Sequence, residues 1–248
     1  MNDPIRPIGL DEPVQQVHQV CAEAPIYQHG TKLPLYMIAL DAGSGRTTLL
    51  EYMADLFKAH KVLPFDSCLD DCVEITLDGT SAQLKRAAQT LAEAAVYTND
   101  YDGVAGIDLS ALPQSLYPEL FPLLKKLCCH ACVVLFFSAQ PGKGEERMME
   151  KLKEDFPHIK RFDPAPYTHE QLAQMAQRQL EQRGMTVLAP SQVRTRLEEL
   201  ELADVPEMLA CVDALVRRAD YSKPTPVVKA ATVAMLSLRS GAPRKEVV

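Results

Sequence analysis

The sequence contains no apolar run approaching the ~20 residues that a membrane span requires. Its longest, Ala131–Ala139 with Ser138 inside it, has the length of a buried strand. The opening residues, MNDPIRPIGLDEP, lack the apolar stretch of a secretory leader, so a cytoplasmic protein with reduced thiols is expected. The seven cysteines are an odd count and form no paired CxxC knuckles. Two clusters invite a metal reading, Cys68 with Cys72 and Cys128-Cys129-His130 with Cys132. Cys132, however, opens an apolar run in which a cysteine is simply a small apolar residue, and no metal is expected there. A basic surplus is also lacking. With 26 basic and 33 acidic residues the net charge is −7 and the pI about 5.4, which argues against a broad nucleic-acid footprint. Arg217-Arg218 and Arg244-Lys245 read as a solvated helix face and a tail. There is no Gly-x-Ser-x-Gly elbow, no internal repeat and no low-complexity stretch. His18, His29, His60 and His169 stand without Ser or Cys partners, and Asp70-Asp71 reads as a solvated loop.

What is present is an ordinary globular composition, 47% hydrophobic and 24% charged over 248 residues, with elements that alternate. Strand-length apolar runs fall at 33–40, 73–77, 104–109, 132–138 and 158–162. Helical periodicity falls at 13–24, 46–60, 81–96, 115–127 and 143–154. Strands alternating with helices of this length predict parallel βαβ units and a sheet covered on both faces. After Pro164–Pro166 the remainder reads as helical, at 168–183, 191–200, 205–219 and 225–239, with Gly184 and Pro224 as breakers. The expected organisation is an α/β core domain over 1–163 and a C-terminal all-helical domain over 164–248. The polar turn 97–103 lies at the wrong end of its strand for chemistry and reads as structural.

One turn carries the expected chemistry. Between the first strand and its helix stands Leu40-Asp41-Ala42-Gly43-Ser44-Gly45-Arg46-Thr47, to be set against the phosphate-loop pattern GxxxxGK[ST]. In that pattern backbone N–H groups and the helix dipole point at phosphate, the lysine reaches the terminal phosphates and the hydroxyl holds Mg²⁺. The second glycine and the hydroxyl fit. The first glycine is Leu40 and the lysine is Arg46. Gly43, Ser44, Gly45, Arg46, Thr47 and Thr48 are therefore the candidate nucleotide-binding residues.

The order of motifs resembles an AAA+ module, nearest to the bacterial CbxX/SpoVK-type subgroup, over about residues 5–219. Ile8-Gly9-Leu10-Asp11-Glu12 resembles the segment lining the adenine pocket. Gly106-Ile107-Asp108-Leu109-Ser110 resembles the Walker B strand, Ser138 stands where the polar sensor 1 residue would be, and Phe156-Pro157-His158 through Leu172 resembles the join of core and lid. The resemblance implies a five-stranded parallel P-loop NTPase sheet with a helical lid, ATP or ADP as ligand at Ile8, Gly9 and the loop, and Mg²⁺ on Thr47 and Asp108. It also implies departures. The water-orienting glutamate after the Walker B aspartate is Leu109, the arginine finger falls on Asp155, and sensor 2 falls near Pro206. The pore-loop segment is short and lacks its aromatic.

Asp108 and Ser138 thus remain as catalytic candidates, and an arginine finger alone is typically worth roughly 10³–10⁵ in rate. The first expectation is a degenerate AAA+ protein that binds nucleotide weakly, hydrolyses little or none of it, and regulates or scaffolds. Its partner would be a protein, through self-association or another AAA+ subunit, with neither membrane nor nucleic acid involved. The alternatives are an active ATPase, using a carboxylate such as Asp102 or groups supplied by a partner subunit, and an interaction module with a vestigial site. For the last, the apolar stripe Met208, Leu209, Val212, Leu215 and Val216 is the support, although such stripes more often face a core.

Overall fold

A computed structural model describes residues 4–27, 33–63, 72–77, 80–86, 89, 103–222 and 225–237. Cys68, Asp70, Asp71, Gly79, Asp102, most of the turn 97–103 and the C-terminal half of the helix expected over 81–96 lie outside them. The chain divides after Pro164 into two compact units.

In the first unit, α1 (Asp11–Ala22) and the single turn α2 (Ala24–Tyr27) precede β1 (Leu35–Ala39) and α3 (Arg46–Ala59). Next come β2 (Cys72–Thr76), the helical residues 81–86 (α4), and β3 (Val104–Asp108). A 3-10 turn, Gln114–Leu116, leads into α5 (Tyr117–Leu127), β4 (Cys132–Phe137), α6 (Lys143–Asp155) and β5 (Lys160–Phe162). All pairings are parallel, in the order β2-β3-β4-β1-β5. Four of the strand runs read from the sequence are a little longer than the strands themselves, and the run at 73–77 is shifted by one residue from β2.

Alternation along the strands sorts side chains between two cores. Leu35, Met37, Ala105, Ile107, Val133, Leu135 and Phe137 pack with α5 and α6. Tyr36, Ile38, Val104, Cys132, Val134 and Phe136 pack with α1 and α3. The same parity sends Glu74 and Thr76 of β2, and Gly106 and Asp108 of β3, to the α3 side, since parallel register pairs Glu74 with Gly106 and Thr76 with Asp108. Gly106 lets α3 approach. A Cβ built there would stand 2.5 Å from Leu50 Cδ1 and 3.0 Å from Phe136 Cε2. So the helix that follows the Gly-rich turn rests directly on the strand that ends in Asp108.

The second unit consists of α7 (His169–Gln182), α8 (Pro190–Glu198), α9 (Val205–Arg218) and α10 (Ala230–Ser237) around one core that includes Leu172, Leu180, Leu197, Val212 and Val233. Met208, Val212 and Leu215 of the apolar stripe belong to that core, so most of the stripe packs inward. The unit is not wholly helical. β6 (Thr186–Val187) and β7 (Val227–Val228) form a two-stranded parallel sheet. The helix expected from 225 therefore begins at Ala230. Pro226 supplies a carbonyl to Thr186 N (2.8 Å) in place of a helical turn. Strands of two residues have no periodicity to read.

Candidate functional site

The turn after β1 is built as a phosphate loop is built. Gly43 (φ +81) and Gly45 (φ +88) take the left-handed conformations that only glycine adopts without strain, and α3 starts at Arg46 with no side-chain cap on its first turn. The position of the missing first glycine, Leu40, needs no such freedom. Its N–H donates to Phe137 O (2.8 Å), which continues the β1–β4 ladder by one residue, and its side chain is in the core. Asp41 ties the loop to the end of β4, its Oδ1 accepting from Ala139 N at 3.0 Å.

Arg46 does not point outward. It is 3% exposed. Its Nε donates to Leu40 O (2.7 Å) and Nη2 donates to the same oxygen. On the other edge of the guanidinium, Nη1 lies 2.6 Å from Asp108 Oδ2 as an ion pair, its approach off-line for a hydrogen bond. The plane lies over the Phe136 ring, 4.9 Å from the centroid. Asp108, at the C-terminal end of β3, is 7% exposed. Its Oδ1 accepts from Ser110 N (3.0 Å) and Ser110 Oγ (2.7 Å). Burial pushes the Asp108 carboxyl up, but the Ser110 hydrogen bonds and the Arg46 guanidinium outweigh it and hold the group below the usual carboxylate range.

Thr47 is committed as well, its Oγ1 donating to Glu74 Oε2 at 2.8 Å. The two line an open groove of about 570 Å³ beside α3, together with Thr48, Glu51, Asp55 and Cys72; Arg46 and Asp108 are not part of its wall. Ser138, half-buried at the end of β4, gives both its N–H (2.9 Å) and its hydroxyl (2.8 Å) to Glu145 Oε1 of α6, whose other oxygen takes Gly142 N. Ile8 and Gly9 (φ +71) are half-buried in the turn before α1, where Leu10 enters the core.

Of the residues singled out in the sequence, the structure therefore brings Arg46 to Asp108 and leaves Thr47 with Glu74 and Ser138 with Glu145. Leu109 is wholly buried, its N–H donating to Phe136 O. Asp155 accepts from Tyr117 Oη (2.7 Å) and sits 3.6 Å from Lys151 Nζ, which makes it a tie between α6 and α5. Pro206 stands in the first turn of α9, a helix start capped by Asp204 Oδ1 on Glu207 N (2.8 Å) and by Glu207 Oε2 on Ala203 N (2.7 Å). Sequence reading missed Glu74 and Glu145. The one signal for Glu74 was a lone carboxylate inside the run Cys72-Val73-Glu74-Ile75-Thr76. Among the described residues no group of His, Cys, Asp and Glu could hold a metal ion, and no helix is long and apolar enough to cross a membrane.

The fold has counterparts among solved structures. Two structures of Thermotoga maritima RuvB superpose with TM-scores of 0.57 and 0.55 at 12% and 14% identity, each covering 92% of this chain and 68% of the other. Domain III of the Thermotoga maritima replication initiation protein DnaA gives 0.53 at 16% identity, covering 90% of both chains. The fold is the α/β P-loop NTPase fold of these structures, a five-stranded parallel sheet with flanking helices and a helical C-terminal part. No family model matches the sequence, and no curated protein matches it. At these identities the likeness establishes the fold alone.

A P-loop NTPase fold implies Mg²⁺ and nucleotide, and the donor set can be tested against them. A phosphate-binding cation, a Mg²⁺-binding hydroxyl and a Mg²⁺-binding carboxylate are all needed, facing one place. Here the cation is buried on a carbonyl, the hydroxyl donates to a neighbouring carboxylate, and the aspartate is neutralised by the cation. So arranged, these groups do not fit Mg²⁺–triphosphate.

Proposed function

We propose that this chain is an AAA+-type module with degenerate ATPase motifs. It binds ATP or ADP with Mg²⁺ weakly, turns over little or none, and serves a protein partner as a regulatory or scaffolding subunit. The observation that carries this reading is residue 109. Hydrolysis relies on a group that orients the attacking water, and in the family this chain resembles that group follows the Mg²⁺-binding aspartate. Leu109 has no such group, and its side chain is buried in the core shared with α5 and α6. Asp155 and Pro206 add to this, because both are used structurally, one tying α6 to α5 and the other opening α9. The nucleotide-binding set on this reading is Ile8, Gly9 and Gly43 through Thr48, and Thr47 and Asp108 turn toward Mg²⁺ only after giving up Glu74 and Arg46.

The test is calorimetric titration with ATP and ADP, with and without Mg²⁺, together with a phosphate-release assay. Binding weaker than micromolar and no phosphate release above the protein-free blank are expected. Robust Mg²⁺-dependent hydrolysis that disappears in Arg46→Ala and Asp108→Ala would overturn the reading.

A further inference from the structure

Arg46 touches more of the fold than a phosphate-binding side chain needs to. One edge of its guanidinium closes on Leu40 O, the other meets Asp108, and its face covers Phe136. Lysine could not do the same. An ammonium is a single point of charge, whereas the planar guanidinium presents donors along two separate edges at fixed angles. The three groups it joins come from the C-terminal ends of β1, β3 and β4. A buried carboxylate requires a counter-charge. In an ATPase site of this fold the Mg²⁺ beside the nucleotide would supply it. In this chain Arg46 supplies it from within.

Resting on the reading that the ATPase machinery is degenerate, we infer that Arg46 is a built-in counter-cation. It replaces ligand charge at Asp108, makes the stability of the core unit independent of nucleotide, and holds the phosphate loop closed to it. Nucleotide binds only if the Arg46 contacts to Leu40 and Asp108 are given up first, and that requirement weakens its apparent affinity by the fraction of molecules that are open. The Thr47–Glu74 hydrogen bond acts in the same sense on the metal side of the loop.

The experiment uses the full chain with MgATP as the probe, in the wild type, Arg46→Lys and Asp108→Asn. Arg46→Lys restores the motif lysine, leaves Leu40 O and Asp108 without their shared clamp, and is expected to bind MgATP at least about tenfold more tightly than wild type. Asp108→Asn leaves a buried guanidinium without its carboxylate. It is expected to lower the Tm of the nucleotide-free protein by about 6 °C or more. If Asp108 were instead a ligand-facing carboxylate with no partner of its own, neutralising it would leave that Tm unchanged or raise it.

An unchanged affinity in Arg46→Lys, or an unchanged or raised Tm in Asp108→Asn, overturns the inference; if the wild type stays silent toward nucleotide, the degenerate-ATPase reading survives. Tight binding with turnover by the wild type removes both. Should Arg46→Lys fail to fold, the Tm of Asp108→Asn decides alone.

Discussion

The close approach of α3 to the sheet is the feature on which the candidate site depends, and Gly106→Ala tests it. The added methyl would sit 2.5 Å from Leu50 Cδ1 and 3.0 Å from Phe136 Cε2. Both distances are below van der Waals contact. Leu50 (1% exposed) and Phe136 (0%) are both buried, so each must shift within the interior to admit the methyl, Leu50 at the wall of the groove beside α3. Overpacking of a well-packed interior costs typically ~1–3 kcal/mol, and here both contacts must yield, so about 2–3 kcal/mol is expected. In a unit of this size that is a fall in Tm of about 4–12 °C. The consequence extends to the loop, because Leu50 lies one turn beyond Arg46 on α3. Urea unfolding followed by far-UV circular dichroism measures the loss. Leu50→Ala in the same chain opens the space, so Gly106→Ala should cost less than ~1 kcal/mol on that background, and the two changes should be far from additive. A loss under ~0.5 kcal/mol for Gly106→Ala alone, or strict additivity with Leu50→Ala, would refute the packing argument.

Three further outcomes follow from the contacts around the site. Asp108 titrates in the folded protein below its unfolded value, so its contribution to stability is present above the unfolded carboxylate pKa of ~3.9 and lost as pH falls through the lower folded value. Acid unfolding of Asp108→Asn should accordingly show a shallower loss across that window than wild type, measured as urea midpoints against pH. Glu145 accepts from Ser138 N, Ser138 Oγ and Gly142 N, so Glu145→Ala is expected to cost about 2–3 kcal/mol, while Glu145→Gln, which keeps an acceptor on the Ser138 side, should cost about half as much. Equal losses in the two variants would show that the chain packing, not the hydrogen bonds, matters there. Asp204→Ala removes the cap of α9 and should lower the stability of the second unit by ~1 kcal/mol, read by hydrogen exchange of that helix, with Asp204→Asn close to wild type.

The parallel sheet was legible because buried strands read as continuous apolar runs, and Leu35–Ala39, Val104–Asp108 and Cys132–Phe137 are buried at every position. The Gly-rich turn was legible because its two glycines have a conformational task. The direction of Arg46 was not. A sequence shows that a guanidinium stands where an ammonium is usual, but only the tertiary packing shows Leu40 O on one side of it and Asp108 on the other. Glu74 escaped notice for a different reason. β2 is the edge of the sheet, where an exposed carboxylate within an apolar run is unremarkable. Its bond to Thr47 links residues 27 positions apart. Glu145 likewise read as one acid among many in a charged helix start, although both its oxygens reach back to the end of β4 and the loop before α6.

The departures from the ATPase pattern share a physical property that simple loss of function does not require. A residue that has only ceased to do chemistry is free to be small, polar and solvated. Leu40, Arg46 and Leu109 are instead 4%, 3% and 0% exposed, and each holds something in place. Leu40 extends the β1–β4 ladder and offers its carbonyl, and Leu109 fills the core beneath α5. Arg46 joins the ends of β1 and β3 through that carbonyl and Asp108. The changes at 40 and 46 are also coupled. The arginine uses the carbonyl of Leu40, and Leu40 is fixed by its own side chain in the core and its N–H on Phe137. A glycine at 40 would lose that anchor and gain freedom the loop does not use, since the positive φ angles fall at Gly43 and Gly45. On the proposed reading, positions that would carry phosphate chemistry in this fold carry packing in this chain, and the site contributes to the rigidity of the core unit.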